Sequence, residues 1–291
     1  MNPYLQLHLL VVLLAMTAIL GRLMTITAPV IVTWRTFLAA LAAFAWVVSM
    51  RRKRLWFGWR KSLTLLGIGV ILGLHWLAFF ASVKISNVSV CLVGLSTISL
   101  FTAFTEPLLE KRPIRSFEVL LGIIVLGGIF LIAGFERGHL LGLSLGILSA
   151  FLAAIFPVLN RRYVNQGGDP LTMVGWEMVG ACAISLGLLP WIESEGYSAL
   201  LSLHGLDWLW MLILALVCTV FGHGLHIHLL RRISAYACNL AINFEPIYGI
   251  AIASLLFHEH REMHPAFYLG AAAILVANLL HPWFEKRSKL P

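Results

Sequence analysis

Charged residues are scarce in this chain of 291 residues. Only 12% of its positions are Asp, Glu, Lys or Arg, whereas 60% are hydrophobic, and the mean hydropathy is +0.90. Soluble domains are about one quarter charged and about half apolar. The shortage of charge excludes a soluble globular protein and indicates an integral membrane protein.

Acidic residues are fewer than basic ones, with 13 against 21, which gives a net charge of +8. A basic surface can bind nucleic acid, but here the Lys and Arg residues cluster at the ends of apolar runs. We therefore expect no nucleic-acid partner.

Cysteine is also rare, and several motifs are missing. The four cysteines fall inside apolar runs and form no CxxC pair, which favours packing over a redox or metal role. The chain has no nucleotide-binding motif and no GxSxG or HExxH pattern. We expect neither a cofactor nor an enzymatic activity.

Long apolar runs fill most of the chain. A membrane-crossing helix needs about 20 apolar residues, and backbone groups in lipid must be satisfied internally, so each run is expected to be a helix. The first run has no basic segment before it and no small-residue cleavage site, which favours a retained span over a signal peptide. The ten predicted spans are residues 4–21, 29–50, 63–83, 87–106, 117–134, 141–160, 171–190, 208–229, 234–254 and 265–283.

Basic residues divide unequally between the two sides of this predicted topology. With both termini in the cytoplasm, 16 Lys and Arg residues lie in cytoplasmic segments and 4 in external ones, while Arg35 lies inside a span. The positive-inside rule favours this orientation for a multi-pass protein of the cell inner (plasma) membrane. The external residues are Arg22, Lys84, Arg137 and Arg261.

An internal repeat relates the third span to the eighth. The segment "LHWLAFFASVKIS" (74–86) aligns with "GHGLHIHLLRRIS" (222–234), which pairs His75 with His223. This match alone is weak, but two others, 32–37 with 174–179 and 107–112 with 255–261, keep the same order in both halves.

A second match relates the second span to the seventh. The segment "VTWRTF" (32–37) aligns with "VGWEMV" (174–179), which pairs Arg35 with Glu177. These two charged residues would therefore lie at matched depth.

The repeats divide the chain into residues 1–138 and 139–291, with five predicted spans in each half. Because five is odd, the second half enters the membrane from the opposite side. Inverted repeats are typical of transporters, whose substrate site lies near the midplane where the halves meet.

The last two spans of the second half carry a family resemblance. They read "SAYACNLAINFEPIYGIAIASLLFHEHREMHPAFYLGAAAILVANLL", with Pro246 in the penultimate span, Glu259 13 residues later, and Gly270 in a Gly-rich last span. This pattern is similar to that of drug/metabolite transporters of the EamA type. The resemblance implies a cavity open to one side at a time and substrates such as amino acids, nucleosides or related metabolites, often exported.

The first half departs from the pattern at one position. It keeps Glu110 and Gly122, in place of Glu259 and Gly270, but has Thr97 where the proline would stand. The departure argues against symmetrical unwinding of the two penultimate helices.

Three charged residues fall at the centres of predicted spans, where charge is costly and commonly functional. Arg35 and Glu177 could face a shared cavity and bind the two ends of a zwitterion. Alternatively they pair with each other, or Arg35 reaches an interface with its long side chain.

Glu245 is the third, and it precedes a proline. Pro246 lacks an N–H, so the carbonyl of Ile242 loses its helical partner, and a carboxylate beside it could hold an ammonium group or a proton. The alternative is a protonated Glu245 bonded to a neighbouring helix. Asn239 and Asn243 are four residues apart and form a polar stripe leading to this level.

The histidines of the eighth span do not form a single unit. His223 and His226 share a face, whereas His228 points elsewhere, and only the His75/His223 position is repeated. His75 and His223 could line a cavity as donors or proton carriers, or join helices by hydrogen bonds. A metal site needs more ligands than one such pair. The alternative function, suggested by the 11 histidines of the chain, is a divalent-metal transporter.

Tryptophans stand beside the polar positions. Trp34, Trp76 and Trp176 could stack on a flat substrate, although tryptophans at membrane interfaces are common.

These features predict an all-α integral membrane protein with ten transmembrane helices in two inverted five-helix repeats around a central cavity. The predicted function is secondary transport, as an exporter, of small organic metabolites, with protons as the coupling ion. The expected partners are the small-molecule substrate and the lipid bilayer, in a monomer or homodimer.

Overall fold

The computed structural model describes residues 3–50, 58–111, 113–114, 116–242 and 244–288. Within these ranges the chain consists of helices and the turns that join them, without a strand. The all-α class predicted from the apolar runs is confirmed.

Fourteen α-helices follow one another through the described residues. A π-helical segment, Ile213–Phe221, joins α10 to α11, so that span eight is one continuous helical rod. The α-helices are α1 (Pro3–Leu23), α2 (Ala28–Ser49), α3 (Trp59–Ile85), α4 (Val88–Leu95), α5 (Ile98–Glu110), α6 (Ser116–Phe135), α7 (Leu140–Ala153), α8 (Phe156–Asn165), α9 (Pro170–Ile192), α10 (Leu206–Leu212), α11 (Gly222–Leu229), α12 (Ala235–Ile242), α13 (Glu245–Phe257) and α14 (Pro265–Ser288).

Seven stretches of the described chain are long and apolar enough to cross a bilayer, and they coincide with seven of the ten predicted spans. The other three predicted spans contain shorter apolar helices, Leu120–Phe135, Glu245–Phe257 and Pro265–Ala277. The seven long stretches are Leu5–Leu23, Ala28–Ser49, Trp59–Ile85, Val88–Glu110, Arg137–Asn165, Pro170–Ile192 and Leu206–Leu229.

The helices pack as two interlocking halves. Helices α2 and α6 contact their own repeat counterparts, α9 and α14, and the two penultimate spans contact each other crosswise, α4 with α13 and α5 with α12. Two further contacts come in matched pairs: α3 with α9 corresponds to the π-helical segment with α2, and α3 with α7 corresponds to α1 with α11. This pattern indicates two repeats related by an approximate two-fold axis.

Two loops are tied down at corresponding places in the halves. Near the end of α3, Lys84 donates through Nζ to the carbonyl of Met24 at 2.5 Å; just after α11, Arg231 donates to the carbonyl of Gly168 at 2.7 Å. Each cation holds the loop that leads into the second helix of a half, which fixes where α2 and α9 begin.

The penultimate span of the second half is interrupted beside its proline. Helix α12 ends at Ile242 and α13 begins at Glu245, with Pro246 in the first turn of α13. A proline is tolerated there because its missing N–H has no helical partner to lose.

The penultimate span of the first half is interrupted as well, between α4 and α5. The hydroxyls of Ser96 and Thr97 donate to the carbonyls of Val93 and Gly94 at 2.6 and 2.7 Å. Such bonds compete with the regular helical ladder and bend it. The expectation of asymmetric unwinding, based on Thr97, is therefore wrong, since two adjacent hydroxyls accompany a break without a proline.

Helices α3 and α9 touch through glycines. A Cβ added to Gly69 would lie 2.0 Å from the carbonyl oxygen of Glu177, and one added to Gly180 would lie 2.1 Å from that of Leu66. Small residues allow such backbone contact in membrane proteins, where packing rather than water exclusion drives association. The contact sets the height of Glu177 against α3.

We expect Gly69→Ala to lower the unfolding temperature in detergent, because its methyl group would overlap the Glu177 carbonyl and force the helices apart. Overpacking of this kind costs about 1–3 kcal/mol. Thermal unfolding of the purified variant measures the effect.

Gly67→Ala is the matched control for that variant. It lies on the same helix with open space around it, and alanine favours a helix, so its unfolding temperature should equal or exceed that of the wild type. Equal stability of the two variants would contradict the assignment of a close α3–α9 contact at Gly69.

Candidate functional site

A cavity of about 60 Å³ lies between the two halves. About 15 Å³ of such space accommodates one water molecule, so the cavity has room for about four waters or a small organic group. Its lining residues from the first half are Leu14, Thr17, Arg35, Leu72, His75, Trp76, Phe79, Leu95 and Ile98; those from the second are Ala153, Phe156, Cys218, His223, His226, Asn239, Ile242 and Glu245.

Arg35 is buried on α2, with 1% of its surface exposed. Its Nε donates to the hydroxyl of Thr219 at 2.7 Å, and its guanidinium carbon lies 3.8 Å from the ring centroid of Trp76. The Nη1 atom has no hydrogen-bond partner in the described structure. The side chain therefore stays inside the protein and does not reach out to an interface.

Glu177 is fully buried on α9 but is not among the cavity-lining residues. Its Oε2 accepts a hydrogen bond from Nε2 of His223 at 2.7 Å and another from Nδ2 of Asn160 at 3.2 Å. Among the described residues Arg35 and Glu177 form no ion pair with each other. The repeat mates thus occupy different surroundings, and a histidine takes the position opposite the carboxylate.

His75 and His223 both line the cavity, from opposite halves. The ring of His75 is fixed through Nδ1, which lies 2.9 Å from the carbonyl oxygen and 2.8 Å from the hydroxyl of Ser149. The ring of His223 is fixed by Glu177. Each histidine therefore joins two helices and also lines the cavity.

His226 lies beside His223, with ring centroids 6.2 Å apart, and it also lines the cavity. Its Nε2 is buried and has no partner among the described residues. The ring packs edge-on to Phe156. His226 therefore places an unpartnered ring nitrogen beside an aromatic residue in the cavity wall.

Asn239 and Glu245 supply the polar groups at the interrupted span. Asn239 donates through Nδ2 to the hydroxyl of Thr102 at 2.9 Å, and its Oδ1 is left without a partner in the described structure. Glu245 is 3% exposed and lines the same cavity. Asn243, predicted with them, lies outside the described residues.

The three predicted tryptophans separate. Trp76 lies in the cavity wall, between Arg35 and His223. Trp34 donates through Nε1 to the carbonyl of Leu200 at 3.0 Å, and Trp176 packs edge-on to Phe44. Neither Trp34 nor Trp176 is among the residues that line the cavity.

The described part of the chain contains no group of three or more His, Cys, Asp or Glu side chains arranged to hold a metal ion. In the histidine-rich turn that follows α13, Glu259 instead accepts hydrogen bonds from the backbone N–H groups of Val88 and Ser89 at 3.0 and 2.9 Å. This carboxylate caps the start of α4. The structure gives the divalent-metal alternative no support.

Sequence reasoning missed three polar contributors, Thr219, Asn160 and Ser149. Each is a small polar residue inside an apolar run, which is an ordinary occurrence in membrane helices. Thr219 carried one usable signal, because it lies four residues before His223 and so shares its helix face.

We expect Glu177→Gln to lower the unfolding temperature, because a neutral amide accepts a weaker hydrogen bond from His223 than a carboxylate does. Hydrogen bonds to charged groups contribute about 1.5–3 kcal/mol. Thermal unfolding in detergent measures the change, with the exposed Glu195→Gln as the control of equal chemistry. A Glu177→Gln protein as stable as the control would mean that the Glu177–His223 pair contributes nothing to the fold.

A search of curated proteins found no match. A solved structure described as "Crystal structure of protein" is 15% identical, with 95% of each chain covered and a TM-score of 0.67. At that identity the likeness shows the fold alone.

A family model described as "EamA-like transporter family" matches the chain twice, at residues 2–134 and 140–281. The two matches take in most of the sequence and confirm both the resemblance and the two-repeat architecture. This protein belongs to the EamA-like transporter family.

Proposed function

We propose that this protein is a secondary transporter that exports small organic metabolites, such as amino acids or nucleoside-like compounds, by alternating access. The observation that carries the proposal is the cavity between the repeats, to which both halves contribute charged or titratable side chains. Buried charges that line a cavity in a membrane protein mark substrate or ion pathways. Family membership supports a transporter of small molecules.

The proposed architecture has ten transmembrane helices in two inverted five-helix repeats, residues 1–138 and 139–291. Matched helix contacts on either side of an approximate two-fold axis support it, and so does the division of basic residues between the two sides. We place the protein in the inner (plasma) membrane with both termini in the cytoplasm, as a monomer or homodimer. Rocking of one repeat against the other would expose the cavity to each side in turn.

Counterflow in proteoliposomes tests the transport proposal. Vesicles preloaded with an unlabelled amino acid or nucleoside should accumulate the labelled compound transiently above its external concentration, because an alternating carrier exchanges one molecule for another. Protein-free vesicles give the background. Equilibration without transient accumulation would indicate a passive channel, and absence of any movement would contradict transport.

Glu245 is the proposed proton carrier, since it is a buried carboxylate that lines the cavity beside an interrupted helix. Glutamine has the same shape but cannot exchange a proton. We therefore expect Glu245→Gln to keep counterflow while losing the stimulation of uptake by an imposed pH gradient. The exposed Glu262→Gln is the control, and unchanged stimulation in Glu245→Gln would exclude this residue as the carrier.

A further inference from the structure

Three neighbouring side chains contact or face the Arg35 guanidinium. Thr219 accepts the hydrogen bond from Nε, the ring of Trp76 covers one face, and the ring centroid of Phe80 lies 5.6 Å away. Aromatic rings attract a guanidinium but cannot accept its in-plane N–H groups. The Nη1 atom is buried and has no hydrogen-bond partner in the described part of the chain.

The charge of Arg35 has no carboxylate partner within the ranges that the structure describes. Among the described residues no Asp or Glu oxygen lies within 4.0 Å of the Arg35 nitrogens. A buried charge is stable only when it is paired and hydrogen-bonded, because its removal from water is costly. The residue nevertheless lines the cavity, which is where a mobile anion could complete the pairing.

The repeat mate of Arg35 is not the missing partner. Glu177 is bonded to His223 and Asn160 and is not among the cavity-lining residues. Of the two residues predicted to bind the ends of a zwitterion, only the cationic Arg35 borders the cavity in this structure.

We propose that Arg35 is the anion subsite of this cavity and that the transported compound carries a carboxylate. A guanidinium recognises a planar carboxylate through two parallel N–H donors. This inference rests on the proposed transport function and narrows it, since it selects compounds with a carboxylate, such as amino acids, over uncharged nucleoside-like compounds.

Thr219 is the positioning residue of the subsite. Its hydroxyl donates to the carbonyl of Leu214 at 2.8 Å and so presents its lone pair to Nε of Arg35. Leu214 and Thr219 both belong to the π-helical segment, where the carbonyl five residues earlier comes within reach of the threonine hydroxyl. The guanidinium is thereby oriented before any ligand arrives, which reduces the entropic cost of binding.

The test compares acids with their own amides. Purified protein is heated with L-alanine, L-leucine or L-phenylalanine, with the carboxamide of each, and with uridine. We expect at least one acid to raise the unfolding temperature. Its amide should need at least a tenfold higher concentration to produce the same rise, and Arg35→Gln should remove this difference between acid and amide. Protection by amides equal to that by acids, protection retained in Arg35→Gln, or no protection by any acid would overturn the proposal.

Variants of Thr219 separate positioning from folding. Thr219→Ser keeps the hydroxyl and should retain the preference for acid over amide. Thr219→Val keeps the shape but removes the acceptor of Arg35 Nε, so its unfolding temperature without ligand should fall. The further rise caused by an acid, measured from that new baseline, should need about tenfold more acid, while the response to uridine should match that of the wild type. Equal acid binding by the two variants would remove Thr219 from the subsite.

Counterflow of the same compounds distinguishes failure of this inference from failure of the transport proposal. Exchange of uridine without any acid would leave transport standing and overturn the carboxylate subsite. Protection by an acid that never crosses the vesicle membrane would support the subsite and contradict transport.

Discussion

The close contact between the backbones of α3 and α9 determines the layout of the cavity. Gly69 and Gly180 let each helix meet a carbonyl of the other, and in a bilayer such packing takes the place of water exclusion as the force that joins helices. From α3, His75 and Trp76 then project into the cavity. From α9, Glu177 reaches His223. A separation of these two helices would disturb the positions of all four side chains together.

This layout distributes charge unequally between two related halves. One repeat has a carboxylate whose Oε2 is bonded to an imidazole and an amide; the other has a guanidinium that is held by a hydroxyl and an aromatic ring. Arg35 and Glu177 thus occupy matched positions in the repeats but have different contacts. Because the hydroxyl belongs to the π-helical segment, the arginine depends on an irregular stretch of helix that has no counterpart in the regular α3.

Much of the fold follows from the sequence because lipid leaves the backbone few choices. The apolar runs, the repeat offset and the motif around Pro246 and Glu259 were enough to predict an all-helical EamA-like protein. Partnerships between side chains were less accessible. Position in a repeat suggested that Arg35 faces Glu177, but it does not show that His223 is closer to that carboxylate, nor that Thr219 lies on a π-helical turn. Such pairings depend on how each helix is rotated about its axis. A π-helical turn, which is wider than an α-helical one, changes that rotation, and the hydrophobic pattern does not determine it.

The two interrupted spans have different chemical causes, and this makes them mechanically unequal. Beside Pro246 the missing N–H is permanent, so a continuous helical ladder through that point is unavailable in any conformation. At Ser96 and Thr97 every backbone donor is still present, and the carbonyls of Val93 and Gly94 are occupied by hydroxyls that can rotate away. The second half therefore contains a fixed elbow and the first a joint that can straighten. The two halves have equal numbers of proposed spans, but the rocking proposed above would bend the first half at Ser96 and Thr97 more than the second half at Pro246.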